Sequence, residues 1–307
     1  MDHYLHDLIV VGGGIAGLTA SIYASCSGLD VLCIENQACG GQIINTPKII
    51  NYPGFLEIDG MGLVENIQKQ CANLGINIQF QQIFSMDLAG STKIFKINSG
   101  EHRAKAAIIA TGATPKKLEV KGEKALQGRG VSYCATCDGR FFEGKIVAVV
   151  GGGRTAISDA IYLSNICKQV YVIHRRREFR ASKAEVENMT RRKNISLKLN
   201  KIVSEINGNG VVEGVELKDV QTDEKHELKL DGVFVAIGSI PNSENFKKWV
   251  DRDAQGYIIS DEDCKTKTDG LFVAGDVRSK KVRQLVTAAS DGAISALAAA
   301  EYIQNTD

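Results

Sequence analysis

Proline and tryptophan are scarce, at 4 and 1 in 307 residues. No linker is rich in Pro, Gly or Ser, and the composition excludes collagen-like, low-complexity and disordered classes. Neither sign of charge dominates: 37 Lys+Arg against 36 Asp+Glu leave +1. A balance this even excludes nucleic acid or an anionic membrane as the main partner. No apolar run approaches the ~20 residues of a membrane span. The opening residues, MDHYLHD, carry acids and no basic region before the apolar stretch that follows. No secretory leader is therefore expected, and the chain is expected in the cytosol. Eight cysteines scattered over a chain this long imply no disulfide framework. What remains is an ordinary globular composition, 44% hydrophobic and 24% charged. At roughly 100–200 residues per domain, its length suggests two domains.

Glycine, by contrast, is abundant at 31, and it clusters. Residues 7–11, DLIVV, read as a buried strand. GGGIAG follows at once and opens a helical run of small and apolar residues, and a second strand, DVLCIE, ends at Glu35. Gly12, Gly14 and Gly17, with Ala16 before the third, fit the G-x-G-x-x-G dinucleotide fingerprint. The first glycine makes the tight turn, the second admits a pyrophosphate, and the third lets helix and strand pack closely. Glu35 is placed to accept hydrogen bonds from a ribose 2′-hydroxyl.

The unit recurs. IVAVV at 146–150, GGGRTA and a helix, then QVYVIH ending at His174 repeat the order, and in both units 21 positions separate the second glycine from the last strand residue. Gly151, Gly153 and Ala156 give the G/A form of the fingerprint, with Arg154 and Thr155 opening its helix. His174 stands where Glu35 stood and is followed by Arg175, Arg176, Arg177 and Arg180. A carboxylate there would repel a 2′-phosphate, whereas guanidiniums bind one bidentately. The second fold is therefore expected to take NADPH, and the first an adenine dinucleotide with a free 2′-hydroxyl. The fold class expected is α/β, with two Rossmann-like dinucleotide-binding domains, the second inserted into the first.

CATCD spaces Cys134 and Cys137 as C-x-x-C, with Asp138 adjacent. Such a pair is half a zinc site or a redox dithiol. The chain has no second C-x-x-C, and its five histidines (3, 6, 102, 174 and 226) are isolated in sequence, so no metal is expected and the redox reading is favoured. Asp138 either donates a proton to a leaving thiolate or caps a turn. Cys26, Cys33, Cys71 and Cys167 lie in apolar stretches and read as small buried hydrophobes. Cys39 and Cys264 stand in more polar contexts.

In chain order, GGGIAG, GGQ at 40–42, NYPG at 51–54, ATGA at 110–113, CATCDG at 134–139, HRR-x-x-FRA from His174, IG-x-x-PN at 237–242, AGDV at 274–277 and RQ-x-x-TAA at 283–289 span nearly the whole sequence. Together they resemble the bacterial low-molecular-weight thioredoxin reductases. The resemblance implies an FAD enzyme that reduces thioredoxin with NADPH and works as a homodimer. It implies an FAD-binding domain of residues 1–115 and 245–307, with an NADPH-binding domain of residues 116–244 carrying the C-x-x-C. It places Gly41, Gln42, Asn51, Ala110, Thr111, Gly112, Gly275, Asp276, Arg283 and Gln284 around the flavin, and Gly238 on the nucleotide side. It turns Cys137 toward the flavin and leaves Cys134 to attack the protein substrate. Arg154-Thr155-Ala156 departs from the family, where an acidic or amide residue precedes Ser-Ala. Arg154 is therefore expected to touch the NADPH phosphates or shift the nicotinamide. Two other functions are compatible with the same motifs. The core could reduce a different acceptor, such as a peroxiredoxin system or, as a thiol oxidase, oxygen. Alternatively, the chain could be a non-catalytic nucleotide sensor.

Overall fold

The structure, a computed structural model, describes residues 4–44 and 46–306. The chain forms two compact units, residues 1–114 with 240–307 and residues 115–239.

The first unit is built on a parallel sheet. Its strands are β1 (Leu5–Val11), β2 (Val31–Glu35), β3 (Asn77–Phe80), β6 (Gly100–Ile109) and β17 (Leu271–Val273). They lie in the order β3-β2-β1-β6, with β17 beside β6. The first half of β6 pairs antiparallel with β5 (Lys93–Ile97), which pairs with β4 (Ile83–Asp87), while its last residues pair with β17. Leu8–Val11 are buried on both faces, as a central parallel strand requires. Helices α1 (Ile15–Cys26) and α6 (Leu285–Thr306) cover one face through Ala16, Ala20, Ala296 and Ala299. Their approach is so close that a Cβ on Gly292 would lie 2.3 Å from the Ala16 carbonyl oxygen. Helix α2 (Gly60–Asn73), capped by Asp59, packs beside α1.

The second unit repeats the plan. A fully parallel sheet runs β11-β10-β9-β15-β8, from β8 (Val131–Ser132), β9 (Ile146–Val150), β10 (Gln169–His174), β11 (Ile195–Leu199) and β15 (Gly232–Val235). It carries α3 (Ala135–Asp138), α4 (Arg154–Ser164) and α5 (Lys183–Thr190). An antiparallel trio, β12 (Lys201–Asn207), β13 (Gly214–Asp219) and β14 (Lys225–Lys229), completes it. In the first unit the strand at this sheet position, β17, comes late in the chain. In the second it is β8, which precedes the fingerprint and leads straight into Cys134.

The chain passes between the units at 114/115 and 239/240, within two short strands that pair, β7 (Ala113–Pro115) and β16 (Ser239–Pro241). Residues 240–244, expected in the second unit, belong to the first. Asn242 exchanges hydrogen bonds with Thr111 and Gly112, and the Ser243 hydroxyl donates to the Gly256 carbonyl at 2.5 Å.

Candidate functional site: a redox disulfide and two dinucleotide cradles

Both fingerprints form the turn their glycines require. Gly12 has φ +111°, a region costly for any residue with a Cβ, and a Cβ on Gly17 would lie 1.7 Å from the Gly12 carbonyl oxygen. The second glycine of each motif, Gly14 or Gly153, occupies the N-cap of its helix, and neither helix has a side-chain cap. Beside Gly14 the space is open, and beside Gly153 only Arg180 Nη2 comes within 4 Å of an added Cβ. Uncapped amides at a helix N-terminus with room in front of them suit a phosphate.

In the first unit Glu35, Gly40, Gly41 and Ala110 lie against this turn. Glu35 accepts from the amides of Gly13 at 2.6 Å and Gln37 at 2.9 Å. The Gly40 amide donates to the Gly13 carbonyl, and Gly41 lies against Gly14. Ala110 packs under Gly12, with Thr111 and Gly112 following. Gln42 donates to the Ala113 carbonyl at 2.6 Å, and Asn51 reaches Gln284 at 3.5 Å. Gly275 seats on Ala16, its Cβ position 2.8 Å from the Ala16 Cβ. The Arg283 guanidinium stacks 3.8 Å over the Tyr257 ring and donates to the Asp276 and Arg278 carbonyls. Asp276 Oδ1 is the one buried side-chain nitrogen or oxygen without a hydrogen-bond partner among the described residues. Burial pushes the Asp276 carboxyl up from its ordinary range. A buried acceptor without a donor fits a group presenting a hydroxyl, as the sugar-alcohol chain of a flavin does.

In the second unit the His174 ring lies directly beneath the fingerprint, where a Cβ on Gly152 would be 2.1 Å from it. The ring stacks on Phe179, and its Nε2 is 3.1 Å from the Glu178 carbonyl oxygen. Burial lowers its pKa against the pull of the Glu178 carbonyl, and Arg180, Arg175 and Arg176 push it the same way as burial. Arg175, Arg176, Arg177 and Arg180 are exposed and make no ion pair with any described carboxylate. Arg154 is mostly exposed, and its Nε donates to Glu185 at 2.6 Å. The Ser182 hydroxyl first, and Arg154 next, hold Glu185 down at about 2. Thr155 is exposed and Ala156 fully buried. Gly238 lies in the returning segment, its carbonyl accepting from the Lys116 amide.

Cys134 and Cys137 are joined in a disulfide, with Cα atoms 5.3 Å apart. The short β8 is parallel to β15, so it delivers Cys134 to the carboxyl edge of the sheet, the edge at which this unit's fingerprint also lies. Ligands of open α/β sheets bind at that edge. Cys134 itself caps α3, its sulfur accepting from the Cys137 amide at 3.2 Å. Asp138 therefore does not fill the capping role. Its carboxylate accepts from the Ser132 hydroxyl at 2.6 Å, and burial raises its pKa against that bond.

Sequence reading missed Ser132, which no motif marks. Cys26, expected buried, is exposed at the end of α1, whereas Cys39 and Cys264 are buried despite their polar contexts. Among the described residues no cluster could hold a metal ion. His6 and His102 stack at 5.8 Å without a third ligand, and His3 lies outside the described residues. No helix among those residues is long and apolar enough to cross a membrane.

Two dinucleotide cradles with a C-x-x-C disulfide on one of them define a nucleotide-dependent disulfide oxidoreductase. The chain belongs to the pyridine nucleotide-disulphide oxidoreductase family, whose model matches residues 6–292. Its relatives include a thioredoxin reductase of Peptoclostridium acidaminophilum, 41% identical over 98% of each chain, and one of Bacillus subtilis (strain 168), 40% identical over 99% of this chain and 96% of that one. The crystal structure of thioredoxin reductase from Streptococcus pyogenes superposes with a TM-score of 0.93 at 36% identity, covering 98% of this chain and 99% of that one.

Proposed function

We propose that this chain is a thioredoxin-disulfide reductase that uses NADPH and FAD, with the first unit holding FAD and the second NADPH. The observation that carries the reading is the Cys134–Cys137 disulfide on the same sheet edge as the second fingerprint, with the half-buried Asp138 carboxyl next to it. A bound flavin would accept the hydride of NADPH and return the electron pair to a disulfide. In the first unit Glu35 would hold the adenosine ribose, the α1 amides the pyrophosphate, and Asp276 a ribityl hydroxyl. Gln42, Asn51, Arg283 and Gln284 would line the flavin. In the second unit the α4 amides, with Arg154 and Thr155 on its first turn, would hold the NADPH pyrophosphate. Arg175, Arg176 and Arg180 would take the 2′-phosphate.

Two electrons break the Cys134–Cys137 bond. The Cys134 thiolate then attacks a sulfur of the substrate disulfide, forming a mixed disulfide and releasing one substrate thiolate. Cys137 attacks Cys134, restoring the internal disulfide and releasing the second. Asp138 would give its proton to a departing thiolate. One NADPH and one proton thus convert one disulfide to two thiols. The test is NADPH oxidation by the purified protein with thioredoxin, with a peroxiredoxin, and with oxygen alone. Turnover only with thioredoxin is expected. Turnover with another acceptor alone, or with none, would reject the reading.

Asp138→Asn is expected to slow turnover about a hundredfold, within the range of a lost general acid, and to leave the flavin spectrum unchanged. Because burial raises the Asp138 pKa, its proton is present at low pH and lost as pH climbs through the raised value. The wild-type rate should therefore fall on that limb, and the Asn variant should show no such limb in a stopped-flow pH series.

Homodimerisation and a cytosolic location belong to the same proposal. An exposed apolar stripe on α6, Val286, Ile294 and Leu297, supports the first, and six free cysteines support a reducing compartment.

A further inference from the structure

Around Asp276 the structure holds more charge than the flavin reading uses. Asp291, on α6, is 7% exposed, and Arg278, two residues past Asp276, is 8% exposed. Asp291 Oδ1 accepts from Arg278 Nη1 at 2.7 Å, and Oδ2 accepts from Lys280 Nζ at 2.7 Å and the Gly275 amide at 3.0 Å. The rest of Arg278 is equally occupied. Its Nε donates to the Ser260 hydroxyl at 2.8 Å, Nη2 to the Asp261 carbonyl at 2.7 Å, and Nη1 also to Cys264 Sγ at 3.2 Å. Lys280 Nζ gives a second hydrogen bond to the Thr287 carbonyl. The buried Arg278, the partly buried Lys280 and the Gly275 amide are thus committed to Asp291. Asp276, in the same neighbourhood, keeps a buried oxygen with no donor at all.

The distribution is not one of distance alone. Lys280 and Arg283 both pull the Asp276 pKa down while Asp291 pushes it up, so Lys280 acts electrostatically on both carboxylates. Its ammonium nonetheless bonds Asp291 and the Thr287 carbonyl, and not Asp276. A free ammonium beside two buried carboxylates would go to whichever lacks partners. On Asp276 it would fill the acceptor that a ligand hydroxyl needs.

We infer that Asp291 is a positioning residue for the cofactor. It sequesters Lys280 and Arg278 and so keeps the Asp276 carboxylate open as an acceptor for a ligand hydroxyl. The inference rests on the reading that Asp276 accepts a ribityl hydroxyl of FAD.

The test measures FAD dissociation from the full-length purified protein, as free flavin fluorescence in the ultrafiltrate of a dilution series. Asp291→Asn releases Lys280 and is expected to weaken FAD retention about tenfold, the worth of one well-placed hydrogen bond. Lys280→Met alone is expected to retain FAD as the wild type does. Combining Lys280→Met with Asp291→Asn should recover most of the loss, because no ammonium is left to occupy Asp276. A purely structural role for Asp291 predicts the opposite, a double variant at least as weak as the single. That outcome would overturn the inference, as would wild-type retention by Asp291→Asn while Asp276→Asn loses FAD. If Asp291→Asn does not fold, Lys280→Met decides. Loss of FAD from it would make Lys280 itself a ligand-binding cation and end the proposal. Wild-type retention by Asp276→Asn would instead overturn the underlying reading of Asp276.

Discussion

Cys134→Ser should abolish thioredoxin reduction while the protein remains yellow and its flavin is still bleached by NADPH. The substituted side chain can still do the structural work of the sulfur. Cys134 caps α3 by accepting from the Cys137 amide, and a serine hydroxyl is among the best acceptors for that position. What it cannot do is attack a disulfide, because exchange needs a thiolate. None of the six free cysteines can take over. Burial pushes Cys33 and Cys264 up to about 12 and Cys39, Cys71 and Cys167 up to about 11. At neutral pH roughly one in ten thousand such thiols, or fewer, is ionised. Cys26 is exposed but stands alone at the end of α1, with no partner thiol at C-x-x-C spacing. Turnover should therefore fall by about a thousandfold or more, to the background of the assay. The residues proposed for the flavin all lie in the first unit and Cys134 in the second, so retention of the cofactor is expected to be unaffected. A variant that kept even a few per cent of wild-type turnover would move the redox centre elsewhere.

The parts legible in the sequence were those that short-range patterns encode. A strand followed at once by a glycine turn and a helix is local. Glu35 and His174 could be found because each lies a fixed 21 positions past a fingerprint glycine. The dithiol was legible because two cysteines at that spacing have few other uses. The interactions left unread are tertiary. Nothing in the segment GVSYC marks Ser132 as the partner of Asp138, or the two-residue β8 as the strand that carries Cys134 to the sheet edge. The role of Asp291 depends on Arg278 and Lys280 folding back onto α6. Cys26 misled because its apolar neighbours face the sheet, while the last turn of α1 turns its own side chain to solvent.

Replacing Arg175 and Arg176 together with Ala should raise the Michaelis constant for NADPH about a hundredfold and change that for NADH by less than about threefold. The two cofactors differ only in the 2′-phosphate, so any group reading that phosphate must separate them. Both guanidiniums are exposed and lack a carboxylate partner among the described residues, so neither needs to be released before it can bind. Their backbone is anchored from beneath: the His174 ring is locked under Gly152, stacked on Phe179, and the Arg180 amide donates to the Gly152 carbonyl at 2.9 Å. Hydrogen bonds to charged groups are worth about 1.5–3 kcal/mol each, and exposure to solvent and salt trims that, so two contacts should yield about 3 kcal/mol, the hundredfold stated. Screening supplies an independent check. The wild-type constant for NADPH should climb with ionic strength, and the double variant should lose most of that dependence. Steady-state kinetics with both cofactors at low and high salt would measure all four values. Equal losses for NADPH and NADH would show that these arginines hold the loop in place and do not read the phosphate.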